Sequence, residues 1–245
     1  MAEQQGVRLN KYLAECGICS RREADRLIDS GKVKIDGRIA SMGDRVTDRN
    51  EVQVHGKKVQ SSRKRVVLAF NKPVGVTCTE KDPHAKITIT DYMKYPIRVT
   101  YAGRLDKDSE GLIIMSNDGD LIQKMTRAVN KHEKEYIVKV DKAINDEFLK
   151  KMGGGIYLKE LDATTRTCNI QKIGTYTFRI ILTQGLNRQI RRMCQYCGYE
   201  VKQLKRVRVM NIELGKLKEG TYRELYGEEL EELYRQCVED HGKNS

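Results

Sequence analysis

A chain of 245 residues with 39% apolar residues has enough material for one large core, or for a small and a medium one. Its net charge of +12 points to a polyanionic partner. No apolar run reaches the roughly 20 residues that span a bilayer, and Met1–Gly6 holds no apolar signal region, so the expectation is a cytoplasmic protein without a membrane partner.

The charge is unevenly spread. Residues 1–65 carry 15 Lys/Arg against 9 Asp/Glu, and residues 186–210 carry 7 Lys/Arg against Glu200 alone. Each stretch therefore nets +6, and the rest of the chain sums to zero. Two basic regions on a neutral frame suggest two nucleic-acid contacts.

In chain order, Leu9, Tyr12, Leu13 and Cys16 recur at helical spacing, and Gly17 stops the helix. Ser20-Arg21-Arg22-Glu23 reads as a capping box opening a second helix, with Ala24, Leu27 and Ile28 inward and Gly31 at its end. Short strands follow around Val33 and Ile35, an Asp36-Gly37 hairpin turn, and Ile39, Val46, Val52 and Val54. Arg21 and Arg22 stand at a helix N-terminus, where phosphate is favoured, and Arg8, Lys11, Lys32 and Arg38 add charge nearby. Each of these could equally be a solvated surface cation. Gly56–Arg65 is polar and basic and reads as a linker.

The second part opens on a strand-like run, Val66–Phe70, followed by Asn71-Lys72-Pro73-Val74-Gly75. Gly103–Leu112 places Asp106 on a tight loop beside Arg104, ahead of a buried strand, Leu112–Met115. Taken bare, that loop is a turn in which Asp and Ser cap backbone amides. A helix carries Leu121, Ile122 and Met125, and Tyr136, Val138 and Val140 alternate along a strand. Asp146–Met152 is a short helix broken by Gly153-Gly154-Gly155, and Tyr176–Leu182 is a strand. Asn187–Cys197 is a helix with Ile190, Met193, Cys194 and Cys197 inward and Asn187, Arg188, Arg191 and Arg192 outward. The acidic stretch Glu224–Asp240 carries a helical stripe of Leu230, Leu233, Tyr234 and Cys237. Strands and helices mix without a βαβ repeat, so the fold class is α+β with a mainly antiparallel sheet.

Cys16/Cys19 and Cys194/Cys197 form two Cys-x-x-Cys pairs. Zinc ribbons separate such pairs by about 15–20 residues. Here far more chain intervenes, so reduced structural thiols and no metal are expected.

Two resemblances sharpen these readings. Ser20–Ile28, Gly31 and the Val33–Gly37 hairpin resemble the S-four-type RNA-binding module, which implies a domain over residues 6–55 that grips structured RNA by shape and phosphates through Arg8, Lys11, Arg21, Arg22 and Lys32. Asn71–Gly75, Gly103–Leu112, Lys134-Glu135-Tyr136 and Asn187–Met193 resemble the pseudouridine synthases of the ribosomal small-subunit type, which implies a catalytic domain over residues 66–240 joined by a linker at 56–65. Leu186, after Gln184-Gly185, looks like a branch of that family acting on large-subunit (23S) ribosomal RNA.

The family resemblance implies that Asp106 is the essential carboxylate, Tyr136 the aromatic packing on the target base, and Arg191 the partner of that carboxylate. It gives Arg104 the place of the displaced nucleotide, with Lys72, Asn187 and Arg188 as further substrate contacts. The implied reaction is an isomerisation of uridine that needs no cofactor, and a monomer without an obligate protein partner is expected. The rivals are a non-catalytic RNA-binding ribosome assembly factor, a synthase acting on 16S ribosomal RNA or tRNA, and a nucleic-acid glycoside hydrolase. The last would need two carboxylates, with Asp108 as the candidate second.

Overall fold

The computed structural model describes residues 6–59, 64–79, 87–127 and 130–239. The chain divides into two compact units, the first comprising residues 1–65, 95–99 and 117–119 and the second the remainder.

The first unit runs β1 (Val7–Arg8), α1 (Leu9–Glu15), α2 (Arg21–Asp29), β2 (Val33–Ile35), β3 (Arg38–Ile39), β4 (Arg45–Val46), β5 (Val52–Val54) and β6 (Lys57–Lys58). Ser20 caps α2 by accepting the Glu23 amide at 3.2 Å, as the capping box requires. Asp36 and Gly37 both hold positive φ, 48° and 83°, the geometry of a two-residue hairpin between β2 and β3. Asp36 also accepts the Glu51 amide and the Asn50 side chain at 2.7 Å each, tying that hairpin to β5. Leu9, Leu13, Ala24 and Ile28 close over the valines of the β3-β2-β5-β6 sheet. The start of the expected linker is structured: Lys57–Lys58 pairs with β5, and Val59 is buried in this core. Residues 60–63, the middle of that segment, lie outside the described residues.

The second unit runs β7 (Val67–Lys72), α3 (Ile89–Met93), β8 (Thr100–Ala102), β9 (Glu110–Ser116), α4 (Gly119–Thr126), β10 (Lys134–Val140), α5 (Asp146–Gly154), β11 (Tyr157–Leu158), β12 (Ala163–Thr164), β13 (Asn169–Gly174), β14 (Thr177–Leu182), α6 (Gln189–Tyr196), β15 (Val201–Val209), β16 (Ile212–Glu213), β17 (Tyr222–Glu224) and α7 (Gly227–Glu239). Its main sheet has the order β13-β14-β10-β15-β9-β7-β17, with β16 beside β15 and β8 beside β9. Every neighbour is antiparallel except β15 on β9. The mixed, mainly antiparallel α+β reading is therefore correct.

The strands β7 and β9 are buried along their whole length, which explains their unbroken apolar runs. Leu121 and Met125 of α4 and Leu233 and Cys237 of α7 pack in one core cluster with them. The parallel contact pairs Arg206 with Gly111, which has φ of +106°. A Cβ at residue 111 would sit 2.3 Å from the Arg206 carbonyl oxygen, so only glycine lets these backbones meet.

Two helix ends differ from expectation. The glycines do not break α5 at once: it runs through Gly153 and Gly154 and ends at Gly155, with φ of 93°. The Asn187–Cys197 helix is shorter, because Arg188 takes a left-handed conformation (φ 50°) as its N-cap and leaves Asn187 in the loop.

Candidate active site

The loop between β8 and β9 carries Asp106. Gly103 starts the turn with φ of 79°, and the Ser109 amide donates to the Asp106 carbonyl at 3.1 Å. Leu105 is buried beside Asp106 and anchors the loop, its amide facing Cys78 Sγ at 3.5 Å. The Gly75 amide donates to the Lys107 carbonyl at 2.8 Å, so the segment after β7 supports the loop directly. Lys72 braces that segment. It is 0% exposed, and its Nζ donates to the carbonyls of Pro73 at 2.8 Å and Val76 at 2.9 Å. Burial lowers its ammonium pKa, partly offset by Cys78 and by the carboxylates Asp108, Asp106 and Glu110. Lys72 is thus a strut beneath the loop and does not line the cleft, against the expectation of a substrate contact.

Asp106 opens onto a cleft of about 440 Å³. Tyr136, Arg104, Asn187, Arg188 and Arg191 line the same cleft, so the structure gathers the remaining predicted catalytic-domain residues in one place. Six cationic side chains (Arg104, Arg127, Lys134, Arg188, Arg191 and Arg206) face one carboxylate, Asp106. Such a lining favours an anionic ligand. Tyr136 is buried at 9% exposure, on β10 opposite Arg206 of β15.

The arginines divide their work differently from the expectation. Arg188 Nη1 lies 3.8 Å from Asp106 Oδ2, and the same guanidinium binds Asp108 through both nitrogens at 3.2 and 2.8 Å. Arg191 pairs with Asp108 instead of Asp106: its Nε lies 3.4 Å from Asp108 Oδ2, and its Nη2 donates to the Asp108 carbonyl at 2.8 Å. The Nε contact has ion-pair distance without hydrogen-bond alignment, and that nitrogen is buried without a hydrogen-bond partner. Burial pushes the Asp108 carboxyl up, but its hydrogen bond to Arg188 and the charges of Arg191 and Arg188 outweigh this and hold it below its ordinary value. Asp108 therefore locks two arginines of the α6 end onto the loop. Tied up in this way, it is poorly placed to be the second carboxylate of a hydrolase.

Three residues emerge here to which the sequence reading gave no role, although Lys134 stood in one of the segments that carry the family resemblance. Lys134 shares the cleft-facing side of β10 with Tyr136, as period-two alternation from Tyr136 would have indicated. Arg206 is 2% exposed, with Nε donating to the Leu112 carbonyl at 2.7 Å and Nη1 near the Arg104 carbonyl at 3.5 Å. His132 is buried at the cleft, its ring 3.2 Å from the Lys124 carbonyl.

The residues expected to hold RNA in the first unit lie on its surface. Arg8, Arg21, Arg22 and Lys32 are exposed, while Lys11 is half-buried and pairs with Glu15 at 3.6 Å. Arg38 is bound bidentately by Asp44 at 2.8 and 3.1 Å, which leaves it less free for phosphate. All seven cysteines are free thiols, and among the described residues no cluster of His, Cys, Asp or Glu could hold a metal ion. No described helix is long and apolar enough to cross a membrane.

Comparison with known proteins agrees with this geometry. Residues 66–196 match the family model "RNA pseudouridylate synthase", and residues 7–52 match the "S4 domain". The chain is 48% identical over 96% of its length, and 81% of the relative's, to the "Dual-specificity RNA pseudouridine synthase RluF" of Escherichia coli O6:H1. It is 34% identical to the "Ribosomal large subunit pseudouridine synthase B" of Bacillus subtilis, covering 97% of this chain and 99% of that one. A crystal structure of a pseudouridylate synthase superposes with a TM-score of 0.68 at 27% identity, over 93% of this chain and 99% of the other. The chain belongs to the RNA pseudouridine synthase family.

Proposed function

We propose that this synthase isomerises a uridine of structured large-subunit (23S) ribosomal RNA, with Asp106 as the essential carboxylate acting on a flipped-out nucleotide. The observation that carries this reading is the placement of Asp106 in a cationic cleft together with Tyr136, Arg104 and Arg188. The base leaves the RNA stack at a cost of a few kcal/mol. Stacking against Tyr136 offsets that cost, and the guanidinium of Arg104 takes the vacated place. Arg188 holds its guanidinium 3.8 Å from the Asp106 carboxyl, and Asp108 fixes Arg188 in position. Asp106 then acts at the ribose, the N1–C1′ bond breaks, the base turns, and C5 joins C1′. Arg191 keeps the end of α6 on the loop through Asp108. Exposed Arg8, Arg21, Arg22 and Lys32 of the first unit grip RNA phosphates. The enzyme works in the cytoplasm as a monomer without a cofactor.

Of the two relatives' names, that of the Bacillus subtilis protein supports the large-subunit assignment. The words "dual-specificity" in one of them favour a second RNA class beside the first, and tRNA or 16S ribosomal RNA is the arm that tests it. The test compares tritium release from C5-labelled 23S RNA, 16S RNA and tRNA. Release from 23S RNA is expected. Release from 16S RNA or tRNA alone would overturn the substrate assignment while leaving the chemistry intact.

A further inference from the structure

Two cations sit deep in the cleft without a carboxylate. Lys134 Nζ donates to the His132 carbonyl at 3.2 Å, which occupies one of its three donors. Arg206 stands across from Tyr136 on the neighbouring strand and spends its bonds on two backbone carbonyls, and its Nη2 is buried with no hydrogen-bond partner. Neither has an ion-pair partner within 4.0 Å among the described residues. Lys134 is half-buried and Arg206 buried, and cations withdrawn from water are costly unless something pairs with them. Both lie on the side of the cleft that carries Tyr136, the aromatic proposed to hold the base, whereas Asp106 and Arg188 belong to the loops. The missing counter-charge therefore belongs to the base.

We propose that Lys134 is a catalytic residue that hydrogen-bonds a carbonyl oxygen of the uracil ring and stabilises the negative charge it gains, with Arg206 as the positioning residue behind it. When N1–C1′ breaks, the electron pair leaves with the base, and the charge spreads over N1 and the two carbonyl oxygens. Lys134 donates to one of those oxygens, and the field of Arg206 adds to it. C5 then bonds to C1′, the C5 proton departs and N1 takes up a proton, so atoms and charge balance without a co-reactant. The burial that lowers the Lys134 ammonium to about 8, with Arg206 pushing the same way, makes this donor more acidic than an ordinary lysine. The inference rests on the reading of this cleft as the site of isomerisation.

The test uses the full chain, with wild type, Lys134→Met, Lys134→Arg and Asp106→Asn, under single-turnover conditions. The substrates are the same ribosomal RNA carrying uridine or 5-fluorouridine, and loss of the parent nucleoside is followed by chromatography of digests. Fluorine withdraws electrons and stabilises the departing base, so it substitutes for part of the work of Lys134. Lys134→Met should lose about 10²-fold in rate on uridine, with RNA affinity kept and Lys134→Arg partly restoring the rate. On 5-fluorouridine the loss should be clearly smaller. An unchanged uridine rate, or an equal loss on both bases, would overturn the proposal. Wild type inert on every RNA, or Asp106→Asn as fast as wild type, would instead overturn the reading of the site itself.

Discussion

At the residue scale the decisive question is which charges the fold buries and what answers them. Partial burial, with Arg206 pushing the same way, lowers the Lys134 ammonium from its ordinary 10.5 to about 8. The other groups facing the same cleft are Asp106 and His132 from loops, Tyr136 from its own strand, and arginines that stay cationic. If the ammonium form is the working one, the single-turnover rate should fall as pH rises through about 8, and Lys134→Arg should carry the plateau to higher pH. A pH–rate profile of both proteins checks this. The folded pKa lies below the unfolded one, so the unfolded chain binds the extra proton between about 8 and 10.5 and stability rises with pH across that window. At neutral pH this partly desolvated charge destabilises the fold, and Lys134→Met should melt somewhat higher, by roughly 1 kcal/mol once partial exposure and the lost bond to the His132 carbonyl are counted. Glycines and strand alternation place Asp106 on a turn and Tyr136 on a strand, but their site roles come from the family resemblance of the motifs around them. Lys134 could have been placed beside Tyr136 by period-two alternation, whereas Arg206 could not, because a basic residue on a strand reads as solvent-facing until the sheet shows which face is covered.

Local rules predicted elements well where a single side chain sets the backbone. Ser20 caps α2 and Asp36-Gly37 turns β2 into β3, as their residue types require. Ser20→Ala should cost about 1 kcal/mol in chemical denaturation. Rules of that kind missed β6, whose two lysines carry no apolar signal and gain strand structure from pairing with β5. They also missed the left-handed turn at Arg188. That turn leaves Arg188, three residues before Arg191, as the guanidinium nearest Asp106. The adjacency of β9 and β15 is equally non-local, since residues 111 and 206 meet only in the finished sheet. Gly111→Ala should therefore destabilise the chain by about 3 kcal/mol or more, as positive φ and a backbone clash add. A thermal melt of that variant measures it. A loss within about 0.5 kcal/mol would contradict the close approach of the two strands.

For the whole molecule, charge and fold point to the same partner. The two basic stretches fall on different units, one holding exposed Arg21 and Arg22 and the other contributing Arg188, Arg191 and Arg206 to the cleft. Arg21→Ala with Arg22→Ala should weaken RNA binding, and should lower the slope of log affinity against log salt by about one for each phosphate no longer neutralised. Rates at saturating RNA should stay unchanged, because neither residue lines the cleft. The central claim is that the chemistry depends on the Asp106 carboxylate, whatever the cleft's other groups add to the rate. Its most direct test is tritium release from C5-labelled 23S RNA by wild type and Asp106→Asn, with RNA binding measured on the same samples. Release by wild type alone, at equal binding, is the predicted result. Release by the Asn variant at the wild-type rate would contradict it and return Asp106 to a turn residue.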